Sequence, residues 1–275
     1  MTVTRTLVLY ISVAILFLYA IIAVFAPLLT PWDPHAISGT PLEKPDALHP
    51  LGTNDTGQDI LSQLLYGTRI TLLIGFGAAI LSVVISTSVG LVTGYYGGLF
   101  DEIVSRIIDI FMTIPLFPLL LVLALFFNPS IWTMSILMGA LGSTHGIRVV
   151  RSQVLSLAQS NFVEGARAIG ASDFRIMTRH ILPNIMPIVV VKFVTSSQHY
   201  LVMGVGLSFL GLWDTTTIDW GTMINQAYSS GGVALGLWWW LLPPGIAVVG
   251  ISLALALIGY SFEEKFNPRV GVNRL

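Results

Sequence analysis

The chain has 275 residues, 54% hydrophobic and only 10% charged, with 14 Phe, 7 Trp and 8 Tyr, a mean hydropathy of +0.81 and a net charge of −1. That balance excludes an ordinary soluble domain and makes lipid the solvent for most of the chain, and near-neutrality removes the electrostatic footprint expected of a nucleic-acid binder. There is no cysteine, so disulfide scaffolds and thiolate chemistry are excluded as well.

Apolar stretches able to cross hydrocarbon, about 20 helical residues each, occur at 7–29, 70–93, 103–127, 131–150, 185–211 and 236–261. The expected fold is therefore all-α: a polytopic membrane protein of six transmembrane helices, with both termini on one side. The first run is too long for a signal-peptide core and no small-x-small cleavage site follows it, so it is read as a span. Residues 30–69 begin proline-rich and end with Ile60, Leu61, Leu64 and Leu65 on one helical face. With Asp55 or Thr56 as N-cap this reads as a short interfacial helix feeding the second span, against the alternative of an exposed loop. Gly90 and Gly94 form a GxxxG pair that permits close helix packing. Residues 212–235, rich in Thr, Ser and Gly, read as an outer loop with a mobile tip.

Charge sets the orientation. With the N-terminus inside, ten basic residues (Arg5, Arg106, Arg148, Arg151, Arg167, Arg175, Arg179, Lys265, Arg269, Arg274) fall on the cytoplasmic side and two, Lys44 and Arg69, outside. Lys192 lies within the fifth span and could snorkel to the inner headgroups. Trp32, Trp132, Trp213, Trp220, Trp238, Trp239 and Trp240 fall at or beyond outer span ends, the headgroup level that indoles favour. The expected location is the cell (plasma or inner) membrane, multi-pass, with both termini cytoplasmic.

Several chemistries are absent. None of the lysines, Lys44, Lys192 and Lys265, follows a phosphate-cradling GxxxxGK[ST] loop, and there is no HExxH or Cys/His cluster, so neither an ATPase nor a zinc hydrolase is expected and no catalytic or metal site is assigned. Acids near spans sit at their ends, which weakens a proton- or sodium-coupled carrier or channel as the alternative. Polar groups within spans are His145, beside Ser143 and Thr144, and the patch "TSSQHY" at 195–200 that includes Ser196, Gln198 and His199. These are candidates for lining a pathway, or for interhelical hydrogen bonding that fixes the bundle.

The segment 164–184, "EGARAIGASDFRIMTRHILPN", holds five charges in an otherwise apolar chain. Asn161 is a possible cap for a helix with Glu164 in its first turn, Gly170 offers the left-handed stop, and Ser172 caps a second helix that starts at Asp173. Pro183 is expected to break that helix before the fifth span. Helix, glycine turn, helix and proline stop, with Phe162, Ala166, Ile169, Phe174 and Ile176 among the charges, read as a docking knob rather than a solvated loop.

Glu164, Ala166, Gly170, Leu182 and Pro183 match the "EAA, three residues, G, nine residues, I-x-L-P" signature of binding-protein-dependent ABC importer permeases, with Gly165 and His180 as departures. "HPLGTNDTGQDILSQLLYG" (49–67), "GLSFLGL" (206–212) and "WGTMINQA" (220–227) resemble the C-type permease subunit of dipeptide, oligopeptide and nickel importers. Gln58 and Gln63 stand where that family usually has arginine, and the tail "GYSFEEKFNPR" also departs. The resemblance implies a type I importer transmembrane domain at 69–262, preceded by a first helix and extracytoplasmic segment at 1–68 and followed by a cytoplasmic tail at 263–275. It implies as partners a second homologous permease, two ATP-binding subunits that carry ATP and Mg, an extracytoplasmic solute-binding protein and membrane lipid, with no cofactor on this chain. Coupling to the ATPase then falls to Glu164, Ala166, Arg167, Gly170, Ser172 and Asp173, and the cargo would be peptides, with nickel chelates or oligosaccharides as alternatives.

Overall fold

Hydrocarbon offers no water to the backbone, so a chain this apolar must satisfy its N–H and C=O groups within helices. The computed structural model describes residues 3–127, 130–212 and 216–266; among them the regular structure is helical, with two isolated β-bridges, Ile37 to Gln58 and Thr53 to Asp59. The helices are α1 (Val3–Leu29), α2 (Ile60–Tyr96), α3 (Gly98–Thr113), α4 (Leu116–Phe126), α5 (Ile131–Ala158), α6 (Asn161–Ala168), α7 (Asp173–Ile176), α8 (Leu182–Phe209), α9 (Trp220–Ser229) and α10 (Trp238–Phe266). A wide π-type turn, Met177–Ile181, joins α7 to α8. The centre of the bundle is α2, packed along α5 and α8; α10 lies on α8 and α1, and α9 fits between α8 and α10.

Four helical rods are long and apolar enough to cross a membrane unaided, and the bent pair α3–α4 makes a fifth. At about 1.5 Å per residue, the 28 residues of α5 also suffice for a crossing. It is more polar, but it is flanked by α2, α8 and α3. This is the all-α membrane bundle expected from the runs, and six crossings are compatible with it when α5 is counted.

Its details depart from expectation in five places. The interfacial helix does not exist as a separate element: α2 runs unbroken for 37 residues from Ile60. Its cap is Asp59 rather than Asp55 or Thr56, with the carboxylate accepting the Ser62 N–H at 2.7 Å. The third span is broken at Ile114–Pro115, and its halves lie 87° apart. Proline cannot donate and forces its predecessor out of the helical region, as the φ −95°, ψ 122° of Ile114 reports.

Pro183 does not stop the second knob helix, since helix continues from Asp173 to Phe209. The wide turn just before it, with the Leu182 N–H bonded to Met177 O, provides the non-α geometry in which a proline ring is tolerated. The 212–235 loop contains α9, whose reciprocal capping box pairs Asp219 with Thr222 and whose Trp220 is fully buried. Lastly, Trp220, Trp239 and Trp240 are core residues packed with Leu72, Leu201 and Ile251. Trp32, Trp132 and Trp238 are exposed, as headgroup anchors should be.

The side chains of Arg5 and Lys265, and residues Trp213, Asp214, Arg269 and Arg274, on which part of the charge and tryptophan reading rests, lie outside the described residues, as does most of the 263–275 tail. The expected boundaries at 68/69 and 262/263 fall inside α2 and α10.

Opposite ends of α2 carry different chemistry. At its start, residues 30–59 fold into a turn-rich cap: His49 Nδ1 lies 2.9 Å from Asp59 Oδ1, Trp32 stacks on the His49 ring at 5.6 Å, and Thr53 Oγ1 accepts the Glu43 N–H. The buried Asp219 carboxylate accepts the Ser208 hydroxyl at 2.7 Å and the Thr222 N–H at 2.9 Å, which ties α9 to the end of α8. Burial raises the Asp219 pKa even so. At the far end of α2, Gly90 and Gly94 let α5 approach. A Cβ on Gly90 would lie 2.8 Å from Val150 Cβ, and one on Gly94 would lie 2.7 Å from the Arg151 carbonyl.

Gly94→Val should therefore force α2 and α5 apart at a cost of about 1–3 kcal/mol, seen as a lower thermal unfolding midpoint in detergent; an unchanged midpoint would show that the contact is slack. His49 yields a pH dependence. Burial alone would lower its pKa, but the hydrogen bond and charge of Asp59, helped by Ser38 and Asp46, outweigh it and leave the pKa raised. The pair's stabilisation is then complete below the ordinary histidine value of about 6.5 and is lost as pH rises through the raised one. Amide exchange in residues 46–59, corrected for intrinsic rates, should accelerate as pH is raised above about 6.5, and protection that stays level would contradict the assignment.

Candidate functional site

The polar segment folds as a knob at the Gly94 end of α2. Ser160, not Asn161, occupies the cap position of α6. At the other end of α6 the Ala171 N–H bonds Ala166 O at 3.0 Å and the Gly170 N–H bonds Arg167 O at 2.9 Å, the paired bonds of a Schellman stop, with Gly170 at φ +81°. Ser172 caps α7 as expected, its hydroxyl accepting the Arg175 N–H.

The knob's inner face is apolar. Val163, Ala166, Ile176, Met177 and Ile181 bury against Val150, Val154 and Ala158 of α5 and Ile185 of α8. Ala166, with 6% exposure, therefore seats α6 on this chain's own core and does not face outward. Glu164, Arg167, Gly170, Ser172 and Asp173 are exposed, in company with Phe162, Ile169 at 86% and Phe174 at 73%. Exposed aromatic and aliphatic side chains beside charges make a contact surface.

One residue ties the two halves of the knob together and the sequence did not single it out. Tyr95, at the end of α2, donates its hydroxyl to Asp173 Oδ1 at 2.6 Å, and the Arg167 guanidinium sits over its ring at 5.1 Å. Arg167 and Asp173, expected to anchor a partner, are thus engaged in fixing α6 and α7 to α2. Two Arg–Asp pairs join α3 to α5 in the same region: Arg151 grips Asp101 with two nitrogens, and Arg148 bonds Asp109.

The second feature is a cavity of about 550 Å³ between α3–α4, α5 and α8. His145, Ser196 and His199 all line it, so the structure brings together three of the four pathway candidates. Gln198 does not join them; its amide donates to Ser252 Oγ at 3.2 Å and links α8 to α10. Lys192, Thr195, Thr144 and Tyr200 complete the polar lining. Lys192 thus borders the cavity. The signal for this was available: Lys192, Thr195, Ser196 and His199 stand at i, i+3, i+4 and i+7 of α8, one continuous helical stripe. His145, Thr195 and His199 are exposed within helices otherwise surrounded by apolar residues. At membrane depth such a stripe must face water or protein.

The model for the family "Binding-protein-dependent transport system inner membrane component" matches residues 86–272, a range that contains the whole knob and every cavity-lining polar residue named above. The chain is 30% identical over 268 residues to the dipeptide transport system permease protein DppC of Haemophilus influenzae, covering 94% of this chain and 90% of that one. It is 31% identical over 254 residues to DppC of Alkalihalophilus pseudofirmus, covering 92% of this chain and 83% of the relative.

If Tyr95 fixes the knob, its variants should grade. Tyr95→Phe keeps the ring under Arg167 and loses one hydrogen bond, worth about 1 kcal/mol, whereas Tyr95→Ala loses both contacts. Amide exchange across residues 161–176 should be modestly faster in the first and faster still in the second; equal protection in all three proteins would remove Tyr95 from the account.

Proposed function

The chain belongs to the family of inner membrane components of binding-protein-dependent transport systems, and from that premise we propose that it is a peptide permease subunit of an ATP-driven importer. The ground for peptides is the dipeptide transport named for its relatives. The same machinery carrying nickel chelates or oligosaccharides is the outcome that would replace it. The translocation pathway is shared with a second homologous permease, which covers the polar stripe of His145, Thr195 and His199 and closes the cavity from the open side. A solute-binding protein delivers cargo at the end that carries residues 30–59 and α9. Two ATPases bind beneath the knob, and they carry ATP and Mg.

In this reading the knob end is cytoplasmic, as are both termini, and residues 69–262 are the transporting unit. The observation that carries the proposal is the mechanical path between the knob and the cavity. The outward face of α6 is polar and apolar by turns, Tyr95 joins α6 and α7 to α2, and α2 meets α5 without intervening side chains at Gly90 and Gly94. The helices α5 and α8 in turn wall the cavity. A displacement of the knob by a closing ATPase dimer therefore moves cavity walls instead of being absorbed locally. Glu164 supplies polar anchoring, Phe162, Ile169 and Phe174 the apolar contact, and Gly170 the turn that presents them. ATP binding would open the pathway outward to receive cargo, and hydrolysis would return it inward.

Gly170 separates this role from simple folding. Nothing lies within 4 Å of where its Cβ would be, so a side chain there meets no obstacle within this chain, but its φ of +81° is closed to β-branched residues. Gly170→Val, at a conformational cost of about 1–2 kcal/mol, should leave a membrane-inserted, assembled permease while cargo uptake and cargo-stimulated ATPase activity fall at least about tenfold. Uptake at the normal rate in reconstituted vesicles would refute the coupling role.

A further inference from the structure

The cavity gathers basic side chains from two helices that are otherwise largely apolar. Lys192, His145 and His199 line it, drawn from two helices, α5 and α8. Among the described residues that line it there is no Asp or Glu. The three are not scattered: Lys192 and His145 both lie within electrostatic reach of His199. Basic nitrogens gathered at membrane depth carry a desolvation penalty whenever they are protonated. The penalty falls if an anion occupies the site for part of the cycle.

We propose that Lys192, His145 and His199 form a transient binding site for the terminal carboxylate of a peptide in transit. The dimensions agree with such a ligand, since about 550 Å³ holds a short peptide segment, and Ser196 offers a hydroxyl to a carboxylate's remaining lone pairs, whereas the Thr144 and Thr195 hydroxyls already donate to carbonyls of their own helices. Apolar walls supplied by Phe111, Ile114 and Met203 accept side chains of any sequence. A fixed end and tolerant walls would let one pathway carry many peptides and disfavour solutes that lack an acid.

Lys192 has a second relevant placement. With Thr195 it also borders a neighbouring cavity of about 480 Å³, lined in addition by Gln153 and Glu263. The Lys192 side chain thus stands between the basic cavity and one that carries a carboxylate of its own.

This inference rests on the peptide-permease reading, and its test separates the two. In the complete complex reconstituted in vesicles, ATP-driven uptake of a tripeptide with a free C-terminus is compared with uptake of the same peptide as its C-terminal amide. The same solute-binding protein is present in every arm, so its own preference cancels between variants. Lys192→Met should lower the acid-to-amide uptake ratio about tenfold relative to wild type, the loss expected of one charge-assisted hydrogen bond. Lys192→Arg, which keeps a cation, should retain most of the ratio. Should Lys192→Met fail to assemble, His199→Gln carries the same comparison. A ratio unchanged in both Lys192→Met and His199→Gln, with wild type importing both peptides, overturns the carboxylate site alone. A wild-type complex that imports neither peptide overturns the peptide reading and the site with it.

Discussion

The backbones of α2 and α5 approach at Gly90 and Gly94 until a single added carbon would lie 2.7–2.8 Å from its neighbours. Between lipid-solvated helices there is no hydrophobic driving force for association, so contacts of this closeness are what hold a bundle in one arrangement. The other elements take their places from that seam. The α2 helix, 37 residues long, supports the cap of residues 30–59 at one end through Asp59 and the knob at the other through Tyr95, while α5 sends its own continuation into α6. In the proposed coupling, a push at one end of this spine would reach the walls of the cavity along its length.

The two ends are made stiff by different means. At the Asp59 end, stiffness comes from polar pairs removed from solvent, His49 with Asp59 and Asp219 with Ser208 and Thr222, around a cluster of buried tryptophans. At the knob end the buried face is small and aliphatic, and a tyrosine is placed to hold two helices at once. The first arrangement resists change, whereas the second leaves aromatic and charged groups outward for another surface. Their difference matches a scaffold that is fixed on one side and driven from the other.

Much of this could be read from residue order. Six apolar runs, the GxxxG pair, Gly170 as a left-handed stop and Ser172 as a cap follow from local rules of helix length, steric freedom and terminal hydrogen bonding, and those rules operate within a few residues. What could not be read depended on partners far apart in the chain. Nothing local marks Tyr95 until Asp173, 78 residues on, is placed beside it. Ala166 looks available for docking until α5 and α8 cover it. Trp220 reads as a membrane anchor by position, yet its indole donates to Leu64 O, 156 residues away, inside the core. Gln198 and Ser196 are two residues apart in one polar patch; the roughly 200° between them on a helix sends one to α10 and the other to the cavity. Pro183 reads as a helix breaker, yet the wide turn ahead of it accommodates its ring, and it is Pro115, inside an apolar run that reads as one continuous span, that breaks a helix.

The central claim is that the knob and α2 move as one body. Because the chain has no cysteine, two spin labels can be introduced in it alone, at Ile169 on the knob and Val84 on the lipid-facing side of α2, both exposed. Their separation is measured in the assembled transporter without nucleotide and again with ATP trapped. The account predicts one narrow distance distribution, unchanged between the two states while cargo is being driven. A shift of several ångströms, or a broad distribution in either state, would mean that the knob flexes on its own, and the proposed coupling through α2 would be contradicted.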